Sequence, residues 1–130
     1  MIRRTIQTGL FSIAALAMTA TFALAQSHTS KPFSGAKVNA GTVTHSTKDG
    51  RDVLTLSDDF KVPDTPAPTW RVVDSKGNIY TLDAFKVKAG NNEKREVVVP
   101  SYVHDIVKVQ VYCAWAEVLL GEAAFTSPIT

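Results

Sequence analysis

The chain has 130 residues, one cysteine, 14 basic and 12 acidic residues, and a formal net charge of +2. Two of the basic residues, Arg3 and Arg4, fall within the first 25 positions, so the rest of the chain carries 12 residues of each sign and no net charge. It contains no basic cluster with interleaved aromatic residues and no nucleic-acid motif, which excludes a nucleic-acid partner. One cysteine also excludes an internal disulfide, and a chain of about 100 residues suits a single domain with one core.

Residues 1–25 have the pattern of a secretory signal peptide. Two arginines precede an uncharged apolar run, which ends on the small-x-small sequence Ala23-Leu-Ala25 before Gln26. The run is shorter than the ~20 apolar residues that a transmembrane span needs. We therefore expect cleavage after Ala25, a periplasmic or secreted location, and no membrane span once the signal is removed.

The next segments predict a tail and then a series of strands. Residues 26–39 are polar and turn-rich, and we expect an N-terminal tail before a single β domain over 40–130. Two β-branched runs, 41–46 and 51–56, flank an Asp49-Gly50 turn signal and predict a hairpin. Three prolines between positions 63 and 68 exclude helix and predict a stiff loop, which is either an interaction edge or a crossover between sheets. Further strands are predicted at 70–73, 79–82 and 97–99, with turns at 74–78 and 89–92.

The most regular alternation lies between positions 105 and 125. One parity holds Val107, Val109, Val111, Cys113 and Trp115, and the other holds Lys108, Gln110 and Tyr112. A period of two with one apolar face is typical of a half-buried strand, so we expect Cys113 to point into the core and Trp115 to share that face. A tight turn or bulge should follow Ala114, before strands at 118–120 and 123–125. The predicted fold is all-β, an antiparallel β-sandwich or a barrel-like single domain.

The cysteine strand resembles the closing motif of the DM-thirteen domain family. The residues that carry the resemblance are Val109-Gln-Val-Tyr-Cys113, with Val118 five and Gly121 eight positions after the cysteine. The similarity extends over about positions 33–125, through the 41–56 hairpin, the Pro68-Thr-Trp-Arg-Val strand and the Val99-Pro-Ser-Tyr link. The chain departs from the family at Thr69, where the family has an acidic residue, and at Ala116, where it has an aromatic one.

The resemblance implies an all-β domain that transfers electrons through Cys113, with a redox or envelope protein as its partner. Without the resemblance, the residues favour a different class of function. A cysteine among valines is commonly an inert, small hydrophobe whose pKa is raised by apolar surroundings. The alternative is therefore a non-catalytic binding module for a protein or envelope ligand, with Cys113 as a structural residue.

Other chemistry finds little support in the sequence. Haem attachment of the c type requires a second cysteine, and blue-copper centres use two histidines with the cysteine. His45, His104 and Cys113 form a minor three-ligand hypothesis, but they lie on separate predicted elements. Glu117 and Glu122 fall on opposite faces of a regular strand, which favours solvated surface over paired acid–base chemistry. We predict no cofactor, no metal site and no catalytic constellation beyond the redox candidate Cys113.

Overall fold

A computed structural model describes residues 28–86 and 92–130. The predicted signal peptide, the start of the predicted tail and most of the predicted 89–92 turn lie outside the described residues. The described part contains no helix and forms two open antiparallel sheets of four strands each, which confirms an all-β sandwich and not a closed barrel. No helix long and apolar enough to cross a membrane occurs in residues 28–86 and 92–130. The strands are β1 (His28–Thr29), β2 (Val43–Lys48), β3 (Arg51–Leu56), β4 (Pro68–Val73), β5 (Ile79–Ala84), β6 (Glu96–Val98), β7 (Ile106–Cys113) and β8 (Val118–Ile129).

The first sheet has the strand order β1-β2-β3-β6. Its centre is the predicted hairpin, in which Lys48 pairs with Arg51 across a two-residue turn. Both turn residues have positive φ, 52° at Asp49 and 73° at Gly50, as a type I′ turn requires. The Asp49-Gly50 turn therefore also sets the register in which β2 pairs with β3.

The second sheet has the strand order β5-β4-β7-β8 and holds the cysteine strand at an interior position. Trp70 of β4 pairs with Val111 of β7, and Pro68 pairs with Cys113. Pro68, which was predicted to lie in the loop, is the first residue of β4, a position where the missing N–H is tolerated. The two short runs predicted after the turn are one continuous strand, β8, whose pairing with β7 contains register shifts.

The two sheets enclose one aromatic and aliphatic core. Trp70 is fully buried, its ring stacks on Phe85 at a centroid distance of 4.7 Å, and Phe85 stacks on Phe60 at 5.7 Å. The indole Nε1–H of Trp70 donates to the Lys94 carbonyl oxygen at 3.0 Å, so its polar atom is satisfied inside the sandwich.

The segment predicted as a polar tail packs on the sandwich from residue 28 onward. Phe33 and Val38 are buried and belong to the core. The Lys31 N–H donates to the Ala124 carbonyl oxygen at 2.8 Å, and Ser34 bridges Glu122 in an antiparallel arrangement. These contacts occupy backbone groups at the outer edge of β8 that would otherwise be open to a further strand.

Candidate functional site

Cys113 is the last residue of β7 and lies at one end of the sandwich. It is paired with Pro68 on one side and with Val118 on the other. Its side chain is 1% exposed and joins the core with Val109 and Val111, in the direction that the alternation predicts. The sulfur therefore stands where the core meets the loops that close the sandwich.

One backbone hydrogen bond reaches the sulfur, and further donor groups from two loops act on its pKa. The Ala116 N–H donates to Sγ of Cys113 at 3.4 Å, and this bond is the main cause of a pKa below the usual value of the thiol. Burial opposes it by raising the pKa. The N–H groups of Ala67 and Trp115 and the hydroxyl of Thr65 lower the pKa further, and together the donors outweigh burial. The apolar strand pattern predicts a raised pKa, and the structure gives the opposite direction because it adds donors from outside that strand.

A backbone hydrogen bond beside Cys113 joins the turn at 114–117 to the loop at 63–68. The Ala114 N–H donates to the Ala67 carbonyl oxygen at 2.9 Å, and the Thr69 hydroxyl donates to the same oxygen at 3.1 Å. Glu117 closes the turn with a φ of 55°, a left-handed conformation that is uncommon outside glycine. The proline-rich loop therefore supplies one wall of the cysteine site.

Trp115 does not share the buried face, contrary to the prediction from parity. Its side chain is 78% exposed. The physical reason is that β7 ends at Cys113, so the two-residue period does not continue into the turn. Val118 and Leu119 at the start of β8 are also exposed, by 46% and 41%. We call Trp115, Val118 and Leu119 the hairpin-tip patch.

The minor three-ligand hypothesis is not supported by the described residues. Nε2 of His45 lies 2.7 Å from Oδ1 of Asp52, and the His45 ring packs against His28. His104 lies in the link before β7, while Cys113 ends that strand. Within residues 28–86 and 92–130, no three His, Cys, Asp or Glu side chains are grouped closely enough to hold a metal ion.

Sequence reasoning proposed Cys113 as the candidate residue but missed the groups that alter the pKa of its thiol. Thr65, Ala67 and Ala116 carry no distinctive motif, and two of the three act through backbone N–H groups that any residue other than proline possesses. Only the prediction of a turn after Ala114 pointed towards one of them. The approach of the 63–68 loop depends on the packing of β4 against β7.

No protein-family model, curated protein or solved structure matches the chain. The described chain is a small all-β sandwich that holds a buried cysteine among backbone donors at one end.

Proposed function

We propose that this chain is an exported redox or electron-transfer domain that acts through the sulfur of Cys113. The observation that carries the proposal is the set of donors around Sγ, led by the Ala116 N–H at 3.4 Å, which lowers the pKa of the thiol. The thiolate is the form of cysteine that attacks disulfides and oxidants. The resemblance of this strand to the DM-thirteen motif supports the same residue independently.

The reaction proposed for Cys113 is thiol–disulfide exchange with a partner, carried out by one cysteine alone. Its thiolate attacks one sulfur of a partner's disulfide, the partner's S–S bond breaks, and the electron pair leaves on the partner's second sulfur as a thiolate. The product is a mixed disulfide. Because the chain has one cysteine, the thiol that resolves this mixed disulfide must come from another molecule.

Access to the sulfur requires the turn at 114–117 to move. Cys113 is 1% exposed, whereas all four residues of the turn are exposed. Exposed turns open at a small fraction of the free energy of global unfolding. Opening the contact between Ala114 and Ala67 would uncover the sulfur and withdraw the Ala116 N–H, while the β4–β7 pairing and the 63–68 loop stay in place. The lowered pKa is therefore a property of the covered state from which the sulfur opens. We therefore propose a thiol that is covered at rest and reacts during local opening.

The proposal is tested by incubating the folded protein with oxidised glutathione and measuring the intact mass. We expect one glutathione adduct per chain in the wild type and none in Cys113→Ser. Trp115→Ala is the matched variant, because it trims the exposed side chain of the turn and keeps the sulfur and the backbone donors. It should still form the adduct. A wild-type protein that forms the adduct only after denaturation would refute the proposal.

The hairpin-tip patch favours a second candidate function, a binding module for an envelope protein or ligand. Three exposed apolar side chains lie within five residues at one end of the sandwich, and exposed apolar groups of this kind can serve protein contacts. A photo-crosslinking residue at position 115 should then give a discrete adduct in the periplasm, and one at position 79, also exposed, should not. If Cys113→Ser leaves that adduct unchanged, binding is independent of the thiol. If it removes the adduct, the patch serves the redox reaction.

A further inference from the structure

One side of the sandwich ends in a strand whose outer edge pairs with no other segment of residues 28–86 and 92–130. This strand is β6, the last strand of the first sheet, which pairs with β3 on its inner side. On the opposite side of the sandwich, β1 contacts β8, and residues 31–38 donate backbone hydrogen bonds to β8. We propose that the edge of β6 binds an extended segment of another protein, which joins the first sheet as an added strand. This interaction is separate from the chemistry of Cys113.

The hydrogen-bond pattern shows which backbone groups of β6 face outward. The Val99 N–H donates to the Asp52 carbonyl oxygen at 2.8 Å, across the ladder to β3. Hydrogen-bonded pairs alternate along an antiparallel ladder, so the backbone groups of Val97 also face β3. The backbone groups of Glu96 and Val98 point the other way. The edge therefore presents two N–H donors and two carbonyl acceptors, in the spacing with which one further strand would pair.

Few of the features that protect sheet edges from pairing occur in β6. It contains no proline, lysine or bulge, and its register with β3 is regular. The carboxylate of Glu96 is turned across the sheet, where it accepts hydrogen bonds from Lys48 Nζ at 2.9 Å and from the Thr55 hydroxyl at 3.2 Å. Val98 is 46% exposed. The length of three residues and Pro100 beyond the end of the strand limit the added hydrogen bonds, so we expect weak, reversible binding.

The side chains of an added strand would alternate between the core and the outer face of the sheet. Those opposite Val97 and Val99 would face the core side, where both valines are buried. β5, the last strand of the second sheet, lies on the same side of the sandwich, and its Tyr80 and Leu82 pack against the core while partly exposed. Apolar side chains in the added strand would cover this part of the core. The inward positions of the partner segment are therefore predicted to be apolar.

Two shallow cavities flank Val98, with volumes of about 430 and 450 Å³, and Arg51 lines both. Arg51 makes no ion pair among the described residues. Asp52 also lines the first cavity, but its Oδ1 atom lies 2.7 Å from Nε2 of His45. The β3–β6 register, continued beyond Val98, places Arg51 opposite Pro100. An acidic side chain at the position of the partner segment opposite Pro100 would therefore meet the Arg51 guanidinium, which favours carboxylates.

The partner segment is thus predicted to have apolar residues inward, β-branched residues outward and an acidic residue at the outward position beside Arg51. The peptide acetyl-Gly-Glu-Val-Thr-Val-Thr-Gly-amide has this pattern and serves as the probe. Paired antiparallel with β6, it places its glutamate opposite Pro100 and its first threonine opposite Val98. Titrated into the folded protein, it should shift the amide NMR signals of Glu96 and Val98 until they saturate, and it should slow their hydrogen exchange.

Changes to the protein and to the peptide separate strand addition from other modes of binding. Val98→Pro removes an outward donor and no hydrogen bond to β3, so it should abolish binding, whereas Val98→Thr keeps both backbone groups and should bind. Methylation of the peptide on the backbone nitrogen of its first threonine should also abolish binding, and this test holds even if Val98→Pro fails to fold. Lysine in place of the peptide's glutamate should weaken binding about twofold to fivefold, and Arg51→Gln should remove that difference.

Amide signals of Glu96 and Val98 that stay unchanged in excess peptide would overturn the proposal, and so would binding that survives methylation of the peptide. Sedimentation of the protein alone tests a different occupant. A dimer that is lost in Val98→Pro would overturn the assigned partner and identify a second copy of the chain on this edge. All of these measurements can be repeated in Cys113→Ser, so their outcome is distinct from that of the redox proposal.

Discussion

The N–H of Ala116 donates a hydrogen bond to Sγ of Cys113 across the turn that joins β7 to β8, at a distance of 3.4 Å. The bond runs from the residue three positions later back to the side chain, so the cysteine organises the turn that covers it. It also lowers the pKa of the thiol and thereby favours the reactive form. The same hydrogen bond therefore stabilises the turn and lowers the pKa of the Cys113 thiol.

Thr65 offers the cleanest way to change the thiol without disturbing the turn. Its buried Oγ1 atom makes no hydrogen bond of ordinary geometry among the described residues, but the hydroxyl is the weakest of the groups that lower the pKa of Cys113. Thr65→Val keeps the shape and removes the hydroxyl, so we expect the pKa of Cys113 to rise. Stability should change little, because the hydroxyl makes no hydrogen bond of ordinary geometry that the valine would break. Thiolate absorbance followed against pH measures the first effect, and urea unfolding measures the second. An unchanged pKa would show that the hydroxyl has no part in the site.

The two tryptophans should respond to truncation very differently. Trp115→Ala should change the free energy of unfolding by no more than about 0.5 kcal/mol, since the side chain is mostly exposed. Trp70→Ala should cost about 3–5 kcal/mol, the usual cost of emptying a buried aromatic site. Chemical denaturation of both variants beside the wild type makes the comparison. Equal losses would contradict the assignment of Trp115 to the surface.

Ionisation of Cys113 should make stability depend on pH in the alkaline range. The pKa is lowered in the folded state from the ordinary value of 9.0, so the unfolded chain binds the proton more tightly. The resulting stabilisation is fully present above the unfolded pKa and is lost as pH falls through the folded pKa. The stability of the wild type relative to Cys113→Ser should therefore increase between neutral pH and pH 9. A difference that is constant or shrinks over this range would mean that the pKa is not lowered.

Asp74 should contribute to stability in the acid range. Its carboxylate accepts hydrogen bonds from the Asn78 side chain at 2.9 Å, the Asn78 N–H at 2.8 Å and the Tyr80 hydroxyl at 3.0 Å. The Asn78 side chain is the main cause of a pKa below the ordinary 3.8. This stabilisation is present above the unfolded pKa and lost as pH falls through the folded pKa.

The advantage of the wild type over Asp74→Asn should therefore decrease below about pH 4. Thermal unfolding as a function of pH measures it, with Asp58→Asn, an exposed position in a turn, as the control. Parallel curves for the wild type and Asp74→Asn would contradict the role of the carboxylate.

Gly121 tests whether residues 30–38 belong to the fold. A Cβ atom added at Gly121 would lie 2.8 Å from both Cβ and the carbonyl oxygen of Val38, closer than normal packing allows. Gly121→Ala should therefore destabilise the domain by about 1–3 kcal/mol, the usual cost of overpacking. Thermal unfolding and hydrogen exchange at residues 30–38 measure the effect. An unchanged domain would mean that this segment does not pack on β8.

Local signals in the sequence predicted most of the strands. The Asp49-Gly50 turn fixed one hairpin, and the alternation before Cys113 gave the direction of its side chain, because both depend on neighbours in the chain. Trp115 was placed on the wrong side because a period of two says nothing about where a strand stops. The burial of Phe33 and the donors from the 63–68 loop depend on long-range packing, which no local pattern encodes.

The rate at which folded protein reacts with a small thiol reagent, measured against pH, tests the redox proposal most directly. We predict that the native wild type is labelled at Cys113. Its labelling rate should rise with a pH midpoint below that of the same protein in denaturant, because donors lower the pKa of the thiol in the folded state. Cys113→Ser provides the blank. Labelling that appears only in denaturant, or a native pH midpoint at or above the denatured one, would refute the redox proposal and leave Cys113 as a structural residue of the core.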